Sequence, residues 1–282
     1  MDTDPVVIVS NEIHTDTKEE EEKTEKTKNV IIPKRIFQTW KEKTVTNKIL
    51  KSWQQTWIDF NPTFSYELWD DDDNRAFVKD FFPEMLETFD KYERNICRAD
   101  AIRYMYLYRH GGIYADLDFM CLKSFEPFIN EMEEKNMDIV LGTLGEMDNA
   151  NEKCHDLPNA LMISRKGAAF WKFVITALIK TVTITLSPET QTGPVFLKLC
   201  LDAYIHKNYN SEVIKAIYGA DIFNQEDVDF SSNICVSEPF VFYPINWGNR
   251  NHLKYTQRIH ELEELKVLFP KSMAVTFWMH SW

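Results

Sequence analysis

The sequence predicts an α/β fold built around a largely parallel sheet. Three observations carry that prediction. Strand-like and helix-like segments alternate for most of the chain, the strand segments are short, largely apolar runs of four to ten residues, and no internal repeat replaces the alternation. The chain of 282 residues is long enough for one large domain with a sizeable core.

The N-terminal 29 residues stand apart as a flexible acidic segment. Lys18 to Lys28 reads KEEEEKTEKTK, a mixed charge run that water solvates readily, while Val6 to Val9 has the composition of a short strand. The remaining residues, 30–282, read as one domain. It opens with the β-rich run Val30 to Phe37, closed by Gln38-Thr39-Trp40. A helical stretch, Lys48 to Asp59, leads through the turn Asn61-Pro62 to a second strand, Phe64 to Trp69. The acidic run Asp70 to Asp73 resembles half of a calcium loop but lacks its central glycine and closing glutamate, so a helix cap or solvated loop is expected.

Helices are predicted over Pro83 to Tyr92 and Asn95 to His110, the second ended by Gly111-Gly112. Strands are predicted over Ile113 to Leu122, Asp138 to Leu141 and Ala160 to Ser164, with helices over Ala168 to Lys180 and Pro194 to His206. Ala168 to Leu186 is largely apolar, yet Lys172 and Lys180 interrupt it, so it reads as a core helix running into a strand rather than a membrane span.

Composition narrows the function. With 32 basic against 44 acidic residues the formal charge is −12, which disfavours a nucleic-acid coat or a polybasic membrane anchor. Five cysteines, Cys97, Cys121, Cys154, Cys200 and Cys235, show no C-x-x-C spacing and read as reduced, buried thiols. No basic flank followed by an apolar run opens the chain, and the one glycosylation-like triplet, Asn61-Pro62-Thr63, is disqualified by its proline. These features lead to the expectation of a cytoplasmic protein.

The sharpest chemical feature is Asp116-Leu117-Asp118, read as the end of an apolar strand that follows the Gly-Gly turn. Residues two apart on a strand share a face, so both carboxylates would converge. A hard divalent cation, Mg2+ or Mn2+, relieves their repulsion and can bridge to a diphosphate. Upstream, Asp100 and Arg103 lie three apart on one helical face. There the arginine could hold phosphate or sugar hydroxyls and the aspartate could accept sugar hydroxyls; a surface ion pair is the competing reading. Trp40 and Trp282 sit at the end of a strand and of the chain, where an indole face could stack on a base or a sugar, or simply fill core.

Together these motifs resemble the DXD-containing sugar transferases of glycosyltransferase family 32, which include the initiating α-1,6-mannosyltransferases of yeast type and capsular polysaccharide enzymes. The matching residues are Ile32 to Trp40, Tyr66 to Asp71, Arg98 to Tyr104 and Gly111 to Asp118. They continue with Asn159 to Ser164, Thr192-Gly193-Pro194, Phe242-Tyr243-Pro244 and the terminal Ser281-Trp282. The resemblance implies a GT-A fold, a single nucleotide-binding mixed sheet flanked by helices. It also implies a retaining transfer from a nucleotide-sugar donor, a UDP-sugar or GDP-mannose, to a glycan or other hydroxyl acceptor, with Mn2+ or Mg2+ as cofactor.

By the same resemblance Trp40 would stack on the base, and Asp100 and Arg103 would hold sugar and phosphate. Asp116 would reach ribose and metal, Asp118 would bind the metal, and Tyr114 would belong to the donor site. Ser281 would complete the metal or phosphate site, Trp282 would cover the diphosphate, and Asn159 would lie beside the donor sugar. The chain departs from the family at Thr276, where a histidine is usual, and His280 is the nearby substitute as a metal ligand. That departure motivates an alternative reading, a sugar-nucleotide or glycan-binding protein without turnover. Two further enzyme classes fit poorly. An aspartyl phosphatase would need threonine or valine where Met120 stands, and a glycosidase would need its two carboxylates several Å apart on separate elements.

Overall fold

The computed structural model describes residues 6–9, 30–144, 156–207, 212–219, 221–223, 228–246 and 261–279. The N-terminal segment expected to be flexible and acidic, apart from residues 6–9, lies outside the described residues, as do Cys154 and the candidate site residues His280, Ser281 and Trp282.

A seven-stranded mixed sheet forms the centre. Its strands are β1 (Val6–Val9), β2 (Arg35–Thr39), β3 (Ser65–Trp69), β4 (Gly112–Ala115), β6 (Ile139–Gly142), β7 (Leu161–Ser164) and β8 (Ile234–Ser237), in the order β1-β8-β6-β7-β4-β2-β3. A separate two-stranded sheet pairs β5 (Phe119–Cys121) with β9 (Ala274–Thr276). The sheet is less parallel than the sequence suggests. Pairs β2–β3, β2–β4 and β6–β8 are parallel, whereas β1–β8, β4–β7 and β6–β7 are antiparallel. β4 and β5 follow each other through a turn with no helix between them, and β5 leaves the main sheet to pair antiparallel with β9.

Helices cover both faces. They include α1 (Lys48–Phe60), α2 (Asp71–Phe81), α3 (Leu86–Lys91), α4 (Asn95–His110), α5 (Glu126–Glu134), α6 (Ala169–Thr181), α7 (Pro188–Gln191) and α8 (Pro194–His206). Alternate strand residues feed opposite cores. Phe37, Tyr114, Ile139 and Met162 pack with α4, α6 and α8, while Ile36, Ile113, Val140 and Ile163 pack with Trp57 of α1 and Ile129 of α5. A third cluster around the small sheet holds Trp40, Leu50, Trp53, Leu117 and Val275.

Particular residues set the element ends. Asn47 caps α1 by accepting from the Ile49 and Leu50 amides. Asp70 and Asp73 form a capping box at α2, so the acidic run is a helix start, as one of the two expected readings had it. The apolar stretch after Lys166 is a 13-residue helix, and among the described residues no helix is long and apolar enough to cross a membrane. Cys97, Cys121, Cys200 and Cys235 are buried free thiols, as expected.

Candidate nucleotide-sugar site

The chain reverses direction across the sheet at β2. From β2 it goes through α1 to β3 on one side, then through α2, α3 and α4 back to β4 on the other. Such a switch point between parallel strands opens a crevice beyond their C-terminal ends. Here β2 and β4 pair only at Ile36↔Ile113 and Phe37↔Tyr114, and Trp40 and Asp116 lie immediately past the two ends. Gln38 spans the divergence, its side-chain amide donating to the Asp116 carbonyl at 3.1 Å while its own oxygen accepts from the Tyr66 hydroxyl at 2.6 Å.

Asp116-Leu117-Asp118 is a turn and not the end of a continuous strand. The Phe119 amide donates back to the Asp116 carbonyl at 3.2 Å, which divides the predicted strand Ile113 to Leu122 into β4 and β5. The run stays apolar because Leu117 is buried in the third core cluster. Both carboxylates nonetheless line one cleft of about 380 Å³, together with Asp100, Arg103, Asn159, Glu189, Thr276 and Trp278.

Around Arg103 the cleft wall is a closed network. Arg103 lies in the middle of α4 and is 2% exposed, Asp100 4%, so the pair is buried and the surface ion pair is excluded. The guanidinium sits 3.1 Å from Asp116 Oδ1 and 3.5 Å from Asp100 Oδ1, and donates to the Asn159 carbonyl at 3.1 Å and to the Ala99 carbonyl at 3.1 Å. It also stacks over the Tyr114 ring, 4.9 Å from its centroid. Asn159 spends both amide hydrogens here, on Asp100 Oδ1 and the Tyr104 hydroxyl, each at 2.9 Å. The Thr192 hydroxyl donates to Asp100 Oδ2 at 3.0 Å, and the Thr192 carbonyl accepts from Tyr104 at 2.7 Å. Tyr114 is buried and donates to Asp116 Oδ1.

Burial pushes the Asp116 carboxyl up to about 7, against the pull of Arg103, with the neighbouring Asp118 charge adding to the rise. Burial likewise raises Asp100, with Arg103 opposing. Burial would lower Arg103, but Asp116 first, then Tyr114 and Asp100, outweigh it and keep the guanidinium charged.

The described lining of this cleft has four acidic side chains, Asp100, Asp116, Asp118 and Glu189, against the single cation Arg103. A bare diphosphate would be repelled from such a surface, whereas a divalent cation would be drawn to it. The donor set fits a hard cation: Asp116 keeps Oδ2 without a hydrogen-bond partner among the described residues, and Asp118 Oδ2 accepts the Met279 backbone amide at 3.0 Å. Among the described residues no three histidine, cysteine or acidic side chains form a complete metal set. Thr276, at the position where the family usually has a histidine, also lines this cleft. Its hydroxyl is buried and accepts the Trp278 amide at 3.1 Å.

Trp40 belongs to an adjoining cleft of about 410 Å³, lined also by Thr39, Lys41, Asp71, Asn95 and Ala99. It is 8% exposed and packs in the third core cluster, so it both fills core and borders the cleft. The structure thus brings Asp100, Arg103, Asp116, Asp118 and Asn159 to one cleft, sets Trp40 beside it and holds Tyr114 behind Asp116. Sequence reasoning missed Glu189 and held Gln38 and Tyr104 only as members of motifs. Thr192 entered in the same way, since nothing in the spacing assigns these residues their partners in the network.

The family described as the glycosyltransferase sugar-binding region containing a DXD motif matches residues 47–136, which include Asp100, Arg103, Asp116 and Asp118. The chain carries a DXD-containing glycosyltransferase domain. It is 43% identical over 102 residues to inositol phosphoceramide mannosyltransferase 3 of Schizosaccharomyces pombe, covering 35% of this chain and 28% of that protein. It is 31% identical over 195 residues to the mannosyl phosphorylinositol ceramide synthase SUR1 of Saccharomyces cerevisiae, covering 67% of this chain and 47% of that protein. The chain therefore spans less than half the length of these two relatives. Among solved structures it is similar to the PaToxG glycosyltransferase, at 15% identity and a TM-score of 0.43, covering 68% of this chain and 79% of that one.

The relatives overturn one expectation. They are yeast proteins named as an inositol phosphoceramide mannosyltransferase and a mannosyl phosphorylinositol ceramide synthase, and they contradict the expectation of a cytoplasmic protein. That expectation rested on the lack of a leader or anchor at the start of the sequence, and a chain spanning only part of its relatives carries no such information.

Proposed function

We propose that this glycosyltransferase domain catalyses a cation-dependent, retaining transfer of a hexose from a nucleotide-sugar to a hydroxyl acceptor. The observation that carries the proposal is the convergence of Asp100, Arg103, Asp116, Asp118 and Asn159 on one cleft beyond the β2/β4 switch point, next to a second cleft bordered by Trp40. The names of the relatives favour mannose as the sugar, hence GDP-mannose over a UDP-sugar, and a glycolipid headgroup hydroxyl as the acceptor.

In this reading Trp40 lies against the base and the donor diphosphate against Asp116 and Asp118. Mn2+ or Mg2+ held by these two carboxylates, with Ser281 or His280 contributing from beyond the described residues, would neutralise the charge that grows on the leaving diphosphate. Arg103 adds a fixed positive charge that needs no reorganisation, because Asn159, Asp100 and Asp116 already lock its orientation. Asn159 and Thr192 hold Asp100 from both sides, which aims its remaining lone pairs at hydroxyls of the donor sugar. Asp100 and Asp116, the two carboxylates nearest Arg103, are both tied into this network and poorly placed to attack the sugar, which favours same-face attack by the acceptor over a double displacement. Trp282 would close over the diphosphate.

A second reading rests on Thr276, a weaker metal ligand than the histidine usual in the family, with its buried hydroxyl already accepting the Trp278 amide. It is a donor-binding protein without turnover. Release of GDP or UDP from a panel of nucleotide-sugars, measured with Mn2+, Mg2+ or EDTA, separates the two: cation-dependent release supports transfer, and saturable binding without release under any acceptor supports the second.

A further inference from the structure

The cleft of the two aspartates and the cleft beside Trp40 share a wall made of Ile96, Pro188 and Glu189. Two of these three are apolar, so the polar chemistry of the seam is that of Glu189. Its backbone is held firmly. The Thr192 and Gly193 amides both donate to the Pro188 carbonyl at 3.0 Å, and the Tyr218 hydroxyl donates to the Thr190 carbonyl at 2.8 Å. A Cβ on Gly193 would come within 2.9 Å of the Glu189 Cα, so the short helix α7 lies directly against the turn that carries Thr192. The side chain itself is exposed, and no hydrogen bond or ion pair engages its carboxylate among the described residues.

The proposed function puts the base beside Trp40 and the diphosphate at Asp116 and Asp118. In a nucleotide-sugar the unit joining those two is the ribose, which must then cross the seam. We propose that Glu189 accepts hydrogen bonds from the ribose 2′- and 3′-hydroxyls of the bound nucleotide, an assignment that rests on that reading of the two clefts. A carboxylate is an acceptor with two oxygens, and a vicinal diol offers two donors at matching separation. Asp116, the residue the resemblance assigns to the ribose, is poorly placed for this: it is buried and its Oδ1 already accepts from Arg103 and Tyr114. Asp71 borders the Trp40 cleft but not the seam. The charge of Glu189 also disfavours a phosphate at the seam, so the residue helps set the direction in which the donor lies.

The test is equilibrium binding of GDP and UDP and of their 2′,3′-dideoxy counterparts, in Mn2+, to the wild type, Glu189→Ala and Glu189→Gln. The wild type is expected to prefer the better ribonucleotide over its dideoxy form by about 10- to 100-fold, the range of hydrogen bonds to a charged group. Glu189→Ala should bind both forms alike, at the affinity the wild type shows for the dideoxy form, with an unchanged melting temperature. Glu189→Gln should retain part of the preference. A full ribose preference in Glu189→Ala overturns the assignment while leaving the nucleotide reading intact. Failure of the wild type to bind any nucleoside diphosphate overturns the nucleotide reading and the assignment with it.

Discussion

Asp100 shows how tightly the candidate site is specified at the level of single side chains. One carboxylate oxygen takes the Asn159 amide and faces Arg103; the other takes the Thr192 hydroxyl. Thr192→Val keeps the shape of the side chain but removes that hydroxyl from a residue that is fully buried. It is expected to cost about 1 to 3 kcal/mol by denaturant unfolding and to lower turnover more than donor affinity, since Asp100 loses its aim. Asn159→Ala strips partners from Asp100, Arg103 and Tyr104 at once, so a larger loss than in Thr192→Val is expected in the same unfolding measurement. The i, i+3 spacing of Asp100 and Arg103 was legible in the sequence, and so was the pairing of Asp116 with Asp118. Their burial was not, because α4 has ten buried residues spread around its circumference and no clear apolar face to mark what lies inside. Thr192 and Asn159 reach Asp100 from 92 and 59 residues away, distances at which spacing carries no signal.

Among the elements, the Gly111-Gly112 turn decides whether β4 can deliver the two aspartates. Gly112 has φ +96°, and a Cβ there would stand 2.5 Å from the Arg35 carbonyl oxygen of the neighbouring strand. Gly112→Ala is therefore expected to cost at least about 2 kcal/mol and to lower the melting temperature by roughly 4 to 8 °C, with β2 and β4 forced apart. The glycines mark the end of α4 in the sequence as they do in the structure, but the apolar pattern runs the strand after them through Asp116 to Leu122. Hydrophobicity alone cannot show that Leu117 leaves the sheet for a different core. At the C-terminus of α4, His110 Nδ1 lies 3.2 Å from an Arg35 guanidinium nitrogen. Burial first, then the Arg35 charge, lowers His110 to about 4. The folded value lies below the unfolded one, so the stabilising neutral form is lost as pH falls from about 6.5 through 4. Stability should decline over that window, and His110→Gln should flatten this part of the decline in a pH series of unfolding curves.

Over the whole molecule, the mixed sheet places two clefts side by side at one switch point, and the charge of the inner cleft calls for a cation before it can admit a diphosphate. The α/β class, most of the elements from β2 to α8 and the aspartates of the site follow from local patterns. The antiparallel half of the sheet does not, nor does the sharing of a wall between the clefts, because both depend on which distant strands pair. The central claim is that Asp116 and Asp118 bind a divalent cation that carries the leaving diphosphate. The most direct test is the rate of nucleotide release from GDP-mannose and from a set of UDP-sugars, with Mn2+ or with EDTA, for the wild type and Asp118→Asn. Release from one donor that EDTA stops and that Asp118→Asn reduces by about a hundredfold or more, at an unchanged melting temperature, is the predicted result. Release that persists undiminished in Asp118→Asn or in EDTA would contradict it.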